Sequence, residues 1–396
     1  MNIEQLITTL KESISIVNVA KDNFELVKMG SKYCMKNPFK KNEPETIVIN
    51  EEQQMYYSFD EGIGGDIIDF IMVFLNKTFK ESIEYLLSKS EIKLTEDLDS
   101  IINSNDGSKE LILRMNKEAA FFFYYILRNK EGKVGMDYFV KKRQFSEKTM
   151  KQFGLGFAPN SWNSLIKYLQ KKGYSEDEIK NSGLTTVNDA GKVMDKYRNR
   201  VIIPIFDMNS RVIAFGGRVL DDSKPKYLNS PDTIAFDKSK NLFALHIAKN
   251  SKRPGFIACE GYMDVISMHQ AGFDNAIASL GTAFTDKQAF LIKTLRDFVY
   301  LAYDSDDAGV EATIKAIMKL NEYGIESKVI DMAPYKDPDE FIKALGADEY
   351  QKRIDNAIPS KNFLLNKLYE RANSADEDCD KKMKELAFII ADYVLN

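Results

Sequence analysis

The chain has 396 residues, of which 44% are hydrophobic and 29% charged, and its formal net charge is −4. This composition is ordinary for a water-soluble protein, the length predicts two or three domains, and no apolar run approaches the ~20 residues that span a bilayer. The weak net charge confines any nucleic-acid site to a local patch. The three cysteines lie far apart and no secretory signal opens the chain, so we expect a reducing, cytoplasmic location.

The sequence pattern of the N-terminal third predicts helices on either side of an irregular β segment. Residues 1–100 contain this β segment, and the polar stretch 101–110, with Asn-Asp-Gly-Ser, is predicted to be a linker. The aromatic-rich segment 118–129 predicts a helix packed in a core. Further on, we interpret Trp162 as a packing residue at the start of another helix.

Residues 197–230 predict a β hairpin with a basic surface. Two alternating apolar segments flank the turn 208–210, which is the pattern of paired antiparallel strands. Between Lys192 and Lys240 there are ten Lys and Arg residues against six Asp, a local charge of +4. Such a run usually marks only a solvated face. Here it accompanies a Gly-Gly pair at 216–217, which lets another group approach the backbone closely.

Acidic residues follow a series of short apolar runs in the C-terminal half. The runs 255–259 and 298–303 stop abruptly, and helical spacing lies between them, so they predict buried parallel strands of an open α/β sheet. Such sheets carry their chemistry at the carboxyl ends of the strands. A third strand-like segment is 327–332. The acidic residues that follow these three segments are Glu260, Asp304, Asp306, Asp337 and Asp339.

Carboxylates gathered at one sheet edge repel each other unless a cation neutralises them. Mg²⁺ prefers oxygen ligands and is often shared with substrate phosphates, and two such ions can clamp the oxygens of a phosphoryl transfer. An alternative is that the acidic run 304–307 merely begins a helix, where Asp is favoured as a cap. Acidic residues after three successive strands favour the metal site.

Four motifs in this region resemble the Toprim domain of bacterial DnaG-type primases: EGYMD (260–264), ASLGT (278–282), YDSDDAG (303–309) and DPDE (337–340). The resemblance implies that Glu260, Asp304 and Asp306 are catalytic. It also implies binding of Mg²⁺ or Mn²⁺ by these three residues with Asp264, Asp337 and Asp339. Toprim domains occur in topoisomerases and nucleases too, so the domain by itself implies metal-dependent phosphoryl chemistry without fixing the reaction.

The upstream strings RNRVIIPI (198–205), FGGRVL (215–220) and KYLNSP (226–231) resemble the basic ridge of the same primases, and 138–159 resembles the start of their polymerase core. By that resemblance, template and nucleoside triphosphate would contact a set of basic and amide side chains. These are Arg143, Arg198, Arg200, Arg218, Lys226, Asn229, Lys238 and Lys240.

Residues 32–75 are similar to the N-terminal zinc ribbon of DnaG-type primases in scaffold but not in ligands. The four ligand positions hold Asn37, Lys40, Ser58 and Glu61, whereas structural zinc needs Cys or His. We therefore expect no zinc and a compensating aromatic core, with stacking on single-stranded bases as the alternative. The aromatic residues concerned are Tyr33, Phe39, Tyr56, Tyr57 and Phe59.

These features together predict an α/β fold, α+β overall. A ribbon-like domain (1–100) and a linker (101–110) would precede a mixed α+β basic subdomain (111–250), a Toprim α/β sheet (251–345) and a helical C-terminal segment (346–396). The family's helicase-binding domain is expected to be absent, so a replicative helicase is only a possible partner.

The resemblance implies a DNA primase that joins nucleoside triphosphates on a single-stranded DNA template into short RNA primers. The partners would be template, nucleotides and the RNA–DNA hybrid product, without a membrane. One alternative is a primase-derived accessory protein of a mobile element that binds single-stranded DNA without synthesis. Another is a Toprim nuclease or topoisomerase, although the basic block at 198–231 is not expected in those enzymes.

Overall fold

The computed structural model describes residues 2–30, 32–38, 47–58, 63–94, 97–102, 104–281 and 283–372, with the helical positions 387 and 390. The helices are α1 Ile3–Ser13, α2 Ile16–Asn23, α3 Ile67–Phe74, α4 Phe79–Ser88, α5 Leu98–Ile102, α6 Asn105–Arg128, α7 Lys133–Asp137, α8 Glu147–Gln152, α9 Ser164–Lys171, α10 Glu176–Asn181, α11 Leu245–Ala248, α12 Tyr262–Gln270, α13 Asp286–Leu295, α14 Asp307–Glu322, α15 Pro338–Leu345, α16 Ala347–Asp355 and α17 Ser360–Ala372. Among the described residues, none of these helices is long and apolar enough to cross a membrane.

The strands are β1 Val27–Met29, β2 Lys32–Met35, β3 Ile47–Asn50, β4 Met55–Ser58, β5 Ile63–Gly65, β6 Gly156–Ala158, β7 Thr185–Val187, β8 Val193–Asp195, β9 Arg200–Phe206, β10 Val212–Val219, β11 Tyr227–Asn229, β12 Phe256–Cys259, β13 Ala276–Ala278, β14 Phe298–Ala302, β15 Glu326–Val329 and β16 Ile358–Pro359. The chain divides into two compact units. The first comprises 1–136, 155–202 and 213–235, and the second comprises 137–154, 203–212 and 236–396. The segment 137–154 thus belongs with the C-terminal unit, whereas the sequence assigned it to the basic subdomain.

The first unit begins with an antiparallel sheet in the order β1-β2-β3-β4-β5. Side chains alternate across β4, so Tyr56 is buried against Phe70 and Phe74 of α3, with ring centroids 5.6 and 5.2 Å away. Tyr57 points the other way and is exposed. The expectation that both tyrosines pack a core is therefore wrong for Tyr57, because strand side chains alternate with a period of two.

The structure describes only some of the other aromatic residues and ligand positions predicted in the ribbon-like domain. Tyr33 is half-buried, whereas Phe39 and Phe59 lie outside the described residues. Two of the four ligand positions, Asn37 and Ser58, are buried side chains. The other two, Lys40 and Glu61, also lie outside the described residues.

Helix α6 replaces most of the predicted linker. Residues 105–110 are its first turns, and Ser104 caps it by accepting a hydrogen bond from the Gly107 backbone. One face of the helix is buried through Phe123, whereas Phe121 and Tyr125 are exposed. The prediction that the whole aromatic segment lies in a core is wrong, because a helix buries one stripe and leaves the other in solvent.

Buried charges connect the N-terminal sheet region to α6. Arg114 donates to Asp66 Oδ2 and Asp69 Oδ1, at 2.9 Å each, and Lys11 pairs with Asp66. Burial alone would raise the pKa of Asp66, but the positive charges of Arg114 and Lys11 reverse this and hold it well below its usual value. Arg114 is itself buried and also lies 3.7 Å from Glu110 Oε1, so its charge depends on these carboxylate partners.

A second buried pair completes this group. Lys172, at the end of α9, donates to Glu118 Oε2 at 2.9 Å and to the carbonyl of Gly64 at 3.1 Å. Tyr168 donates to the same glutamate. We call Asp66, Asp69, Glu118, Arg114, Lys172 and Lys11 the buried ion network. Its three carboxylates face three cations from the same unit.

The predicted hairpin is confirmed as β9 and β10, within a sheet of order β11-β10-β9-β6. Ser210 takes a positive φ of 63° in the turn, and its backbone N–H donates to the Asp207 carbonyl. A Cβ on Gly217 would lie 2.6 Å from the ring of Tyr197. Glycine is therefore required there for packing of the strand against that ring.

The second unit contains a sheet in the order β13-β12-β14-β15-β16. Its first four strands are parallel, and β16 runs antiparallel at the edge. Both central strands predicted from apolar runs are present, β12 is buried throughout, and α12 and α13 lie where helical spacing indicated. The predicted fold class, an α/β sheet with an α+β remainder, is confirmed.

Candidate active site

The carboxyl ends of β12 and β14 bring the first two predicted acidic groups together. Cys259 and Ala302 are register partners in adjacent parallel strands, so the residues that follow them leave the sheet at the same edge. There the backbone N–H of Asp304 donates to Glu260 Oε1 at 3.1 Å. This bond fixes the glutamate against the start of the Asp304–Asp306 loop.

Asp306 and Asp337 also cap helices. Asp306 Oδ1 accepts the backbone N–H of Gly309 at 3.0 Å at the start of α14. Asp337 Oδ1 accepts that of Glu340 at 2.8 Å at the start of α15. The capping interpretation of the acidic run is therefore correct for one oxygen of each residue. Capping uses only that oxygen and leaves the other carboxylate oxygen for a further partner.

Most of these acidic groups have a raised pKa, whereas the hydrogen bond from Gly309 and the contact with Lys336 lower the pKa of Asp306. Burial, followed by the charges of Asp337 and Asp304, raises the pKa of Asp264 to about 8. Burial and neighbouring carboxylates likewise raise the pKa of Glu260 and of Asp337. Such coupling requires the groups to share one region of low dielectric. We call Glu260, Asp264, Asp304, Asp306 and Asp337 the acidic cluster.

The Asp339 side chain binds partners outside the acidic cluster. It is buried, and its carboxylate accepts from Arg143 Nη1 at 2.6 Å, from Lys343 Nζ at 2.7 Å and from the hydroxyl of Ser267. Arg143 also donates to the hydroxyl of Tyr138. In this structure the two side chains predicted to bind metal and template thus bind each other, and they fasten 137–154 to α12 and α15.

Lys336 was not predicted and lies at the centre of the site. Its ammonium nitrogen is 3.2 Å from Asp304 Oδ2 and 3.0 Å from Asp306 Oδ2. Its backbone carbonyl accepts the N–H of Ser305, which holds the two loops together. The lysine directly precedes the DPD motif, and that position was the only signal in the sequence. Among the described residues, it is the one cation ion-paired to the five carboxyl groups of the acidic cluster.

The donor set of the acidic cluster fits a hard divalent cation. All its side chains offer carboxylate oxygens, and an ammonium group already lies between two of them, where a cation is electrostatically favoured. Within the described ranges, no three His, Cys, Asp or Glu side chains are gathered closely enough to hold a metal ion by themselves. An open arrangement of this kind suits Mg²⁺, which keeps several waters and shares its ligands with phosphates.

The predicted template-contacting residues divide into exposed and engaged groups. Lys226 is exposed, and among the described residues it has no ion pair. Arg218 is half-buried and lies over the ring of Tyr227. Arg200 is buried, and its guanidinium donates to the carbonyls of Gly217 at 3.2 Å and Pro225 at 3.0 Å. Arg200 therefore positions the loop that carries Lys226.

Trp162 contradicts its prediction as a packing residue. It precedes α9, is 57% exposed, and stacks on the Arg198 guanidinium, which lies 4.0 Å from the ring centroid. The guanidinium also donates to the Asp195 carbonyl. The sequence could not show this pairing, because the two residues are 36 positions apart and meet only through β8.

The last three residues predicted to contact template or nucleotide are Asn229, Lys238 and Lys240, and they lie in two different parts of the fold. Asn229 is half-buried on β11, opposite Gly216. Lys238 and Lys240 form a short 3₁₀ turn that α13 holds through Gln288, whose amide donates to the Lys238 carbonyl at 3.0 Å. Lys240 is exposed and 3.5 Å from Asp237. Asn229 belongs to the first unit and the two lysines belong to the second.

Three family models match successive parts of the chain. Residues 2–101 match the CHC2 zinc finger, 122–249 match the N-terminal domain of the DNA primase catalytic core, and 257–342 match the Toprim-like family. The zinc-finger match conflicts with the expectation that zinc is absent, since zinc binding is typical of that family. The primase-core match removes the support for a Toprim nuclease or topoisomerase.

The chain is 37% identical to the DNA primase of Clostridium acetobutylicum over 98% of its own length and 65% of that protein. It is 33% identical to that of Aquifex aeolicus over 97% of its length and 74% of the relative. For most of the curated relatives, it spans between about half and two thirds of their length.

Solved structures show the same likeness. The zinc-binding and RNA polymerase domains of the Aquifex aeolicus primase superpose with a TM-score of 0.66 at 31% identity, over 97% of this chain and 96% of that one. A DnaG primase catalytic domain bound to single-stranded DNA superposes with a TM-score of 0.63 at 30% identity, over 72% of this chain and 94% of that one. The chain therefore belongs to the bacterial DnaG-type DNA primases.

Proposed function

We propose that this chain synthesises short RNA primers on single-stranded DNA. The observation that carries the proposal is the acidic cluster, in which carboxyl groups from two strand ends and the start of α15 share one region and raise each other's pKa. Its substrates would be nucleoside triphosphates, and its product an RNA–DNA hybrid. The family membership makes nucleotidyl transfer the phosphoryl chemistry that this cluster serves.

Glu260, Asp304, Asp306 and Asp337 would hold Mg²⁺ or Mn²⁺. When bound, the cation lowers the pKa of the attacking 3′-hydroxyl and neutralises charge on the leaving pyrophosphate. The chain's own part is orientation: the Asp304 N–H fixes the Glu260 carboxylate, and the helix caps fix Asp306 and Asp337. Asp264 lies within the same electrostatic group and would be an outer ligand.

Asp339 and Arg143 would act as positioning residues. Their ion pair, with Lys343 and Ser267, holds the start of α15 and hence Asp337. Such a pair would set the position of the metal-binding carboxylate without touching the substrate. This assignment replaces the direct roles expected for both residues from the sequence.

Template binding would use one exposed and two half-buried basic side chains of the first unit. Lys226 and Arg218 would contact phosphates, and Trp162 with Arg198 would offer a stacking surface for an unpaired base. Asn229 would add a polar contact, and Lys238 and Lys240 would contact nucleotide or template from the second unit. A related DnaG catalytic domain has been solved with single-stranded DNA, which supports this choice of partner.

We further propose that the ribbon-like domain folds without zinc despite its match to the CHC2 family. The family's ligand positions hold Asn37, Lys40, Ser58 and Glu61, and neither a charged Lys nor an Asn or Ser is an adequate zinc ligand. The buried ion network and the Tyr56 aromatic contacts provide cohesion in that region.

The test is primer synthesis on defined single-stranded templates, with labelled nucleotides and Mg²⁺ or Mn²⁺. The parent should make short RNA, and Asp304→Asn should lose a factor of ~10²–10³ in rate, because an amide neutralises less charge in the transition state. Asp307→Asn is the matched control, since Asp307 is exposed and next to Asp306 but outside the cluster. Undiminished synthesis by Asp304→Asn would refute the assignment. A parent that binds template yet never synthesises would instead indicate an accessory protein.

A further inference from the structure

Lys336 occupies the position in the acidic cluster that a cation would use. Its ammonium nitrogen lies 3.2 Å from Asp304 Oδ2 and 3.0 Å from Asp306 Oδ2, so it bridges the two residues of the DxD motif. Both oxygens remain available after the capping bond of Asp306, which uses Oδ1. The lysine therefore contacts the oxygens that a divalent cation would need.

The backbone of this lysine is held by two hydrogen bonds, and its side chain is half-exposed. The Ser305 N–H donates to the Lys336 carbonyl at 2.9 Å, and the Lys336 N–H donates to Glu340 Oε2 at 3.3 Å. The side chain is 51% exposed, so it can swing into solvent without opening a cavity. Lys352 offers a comparison: it is also exposed and pairs with a carboxylate, Glu349, at 2.8 Å, but outside the acidic cluster.

The Lys336 ammonium and a divalent metal ion cannot occupy the same carboxylate oxygens at the same time. An ammonium about 3 Å from both carboxylates leaves no room for a metal on the same oxygens, and two positive charges at that separation repel strongly. Exposed ion pairs are individually weak, so a divalent cation can displace the lysine. Displacement must nevertheless cost part of the metal's binding free energy.

We propose that Lys336 is a built-in competitor for the divalent cation at Asp304 and Asp306 and thereby sets the cation affinity of the active site. The inference rests on the metal site of the proposed function. In the cation-free protein, Lys336 neutralises part of the acidic cluster and holds its two loops together. On cation binding it leaves the carboxylates, and a high cation concentration is needed to drive it out.

The test measures binding of Mn²⁺ by its electron paramagnetic resonance signal, without nucleotide or DNA. Lys336→Met removes the charge and keeps the aliphatic stem, and loss of two exposed ion pairs corresponds to roughly a two- to thirtyfold change in affinity. We expect about tenfold tighter Mn²⁺ binding. Lys352→Met changes the net charge equally, removes an exposed ion pair outside the acidic cluster, and should stay within about twofold of the parent. Thermal melting of each variant verifies folding.

A third variant, Asp304→Asn, separates the inference from the proposed function on which it rests. If Asp304→Asn loses Mn²⁺ affinity but Lys336→Met binds like the parent, the metal site stands and the competition is wrong. If Lys336→Met and Lys352→Met tighten binding equally, the effect is only one of overall charge, and the inference is overturned. If Asp304→Asn binds Mn²⁺ like the parent, both the metal site and the competition fail.

Discussion

The two units of this chain each contain a group of carboxylates, and the two groups are built in opposite ways. In the buried ion network, Asp66, Asp69 and Glu118 face Arg114, Lys172 and Lys11. In the acidic cluster, five carboxyl groups share one ion-paired lysine among the described residues. The first group is neutral overall, whereas the second keeps an excess of negative charge.

This difference distinguishes a structural group from a functional one. Buried charges that serve the fold carry their counter-ions with them, because unpaired buried charge is strongly unfavourable. In the buried ion network the pKa of Asp66 is held low, although burial raises that of Glu118, and in the acidic cluster the pKa of Asp264 is raised to about 8. An excess of carboxylates whose pKa values are raised marks a place where a cation must come from outside.

The largest effect should follow from breaking the neutral group. Arg114→Met would leave Asp66 and Asp69 buried without their main partner, and loss of one member of a buried pair costs about 3–5 kcal/mol. Urea denaturation should show that decrease in the free energy of unfolding. Lys117→Met, on the exposed side of the same helix, should change it by no more than about 0.5 kcal/mol. Equal stability of the two variants would contradict the structural role of the network.

The acidic cluster should give an effect of comparable size, through pH. In chelator, the folded protein retains a proton on Asp264 up to about pH 8, whereas the unfolded chain releases it near its usual pKa. Stability should therefore fall as pH rises from about 4 to 8, by at most ~1.4 kcal/mol per pH unit. Asp66 acts in the opposite sense, since its low pKa contributes stability that is lost only on acidification.

Calorimetric melting between pH 5 and 8.5 tests whether stability falls as pH rises. Asp264→Asn cannot ionise and should flatten the decline, and saturating Mg²⁺ should flatten it in the parent by stabilising the charged cluster. If the parent in chelator became more stable across this pH range, the acidic cluster would not be short of positive charge.

A smaller effect concerns the template-binding surface of the first unit. Lys226→Ala should weaken binding to single-stranded DNA and lower the slope of log affinity against log salt by about 0.7, the value for one phosphate contact. Lys192→Ala removes an equally exposed charge from the same unit, outside the proposed surface, and should leave the slope unchanged. Fluorescence anisotropy at several salt concentrations measures both. Identical slopes for the two variants would mean that the surface is misplaced.

The smallest expected effect is that of zinc removal. Elemental mass spectrometry should find well under one zinc per chain, and a chelator should not shift the melting temperature at pH 5, where Asp264 is protonated. Stoichiometric zinc bound within residues 1–100 would show that the CHC2 match extends to metal binding in this chain. The buried ion network would then share its role with a metal.

The sequence predicted the acidic cluster better than the basic surface, for a physical reason. Glu260 and Asp304 directly follow apolar strands, and parallel strands end at one edge, so their neighbourhood follows from chain order. Arg200 and Arg143 are long side chains that can reach either substrate or protein, and both bind protein groups here. The sequence does not show whether such an arginine binds the substrate or another protein group.

Other features needed three-dimensional information of a different kind. The alternation that buries Tyr56 and exposes Tyr57 depends on which face of β4 meets α3. The pairing of Trp162 with Arg198 and the position of Lys336 between two aspartates arise from loop geometry, for which a single sequence carries no periodic signal. The fold class and the strand ends could be predicted because they depend only on local hydrophobic patterns.

The most direct measurement of the central claim is the location of Mn²⁺ in crystals of this chain by anomalous diffraction. The charge difference between the two groups predicts a manganese peak bounded by Glu260 and Asp304, with the Lys336 ammonium displaced from both aspartates. It predicts no peak beside Asp66, Asp69 or Glu118. A saturated crystal without manganese at Asp304, or with manganese in the buried ion network, would contradict the account.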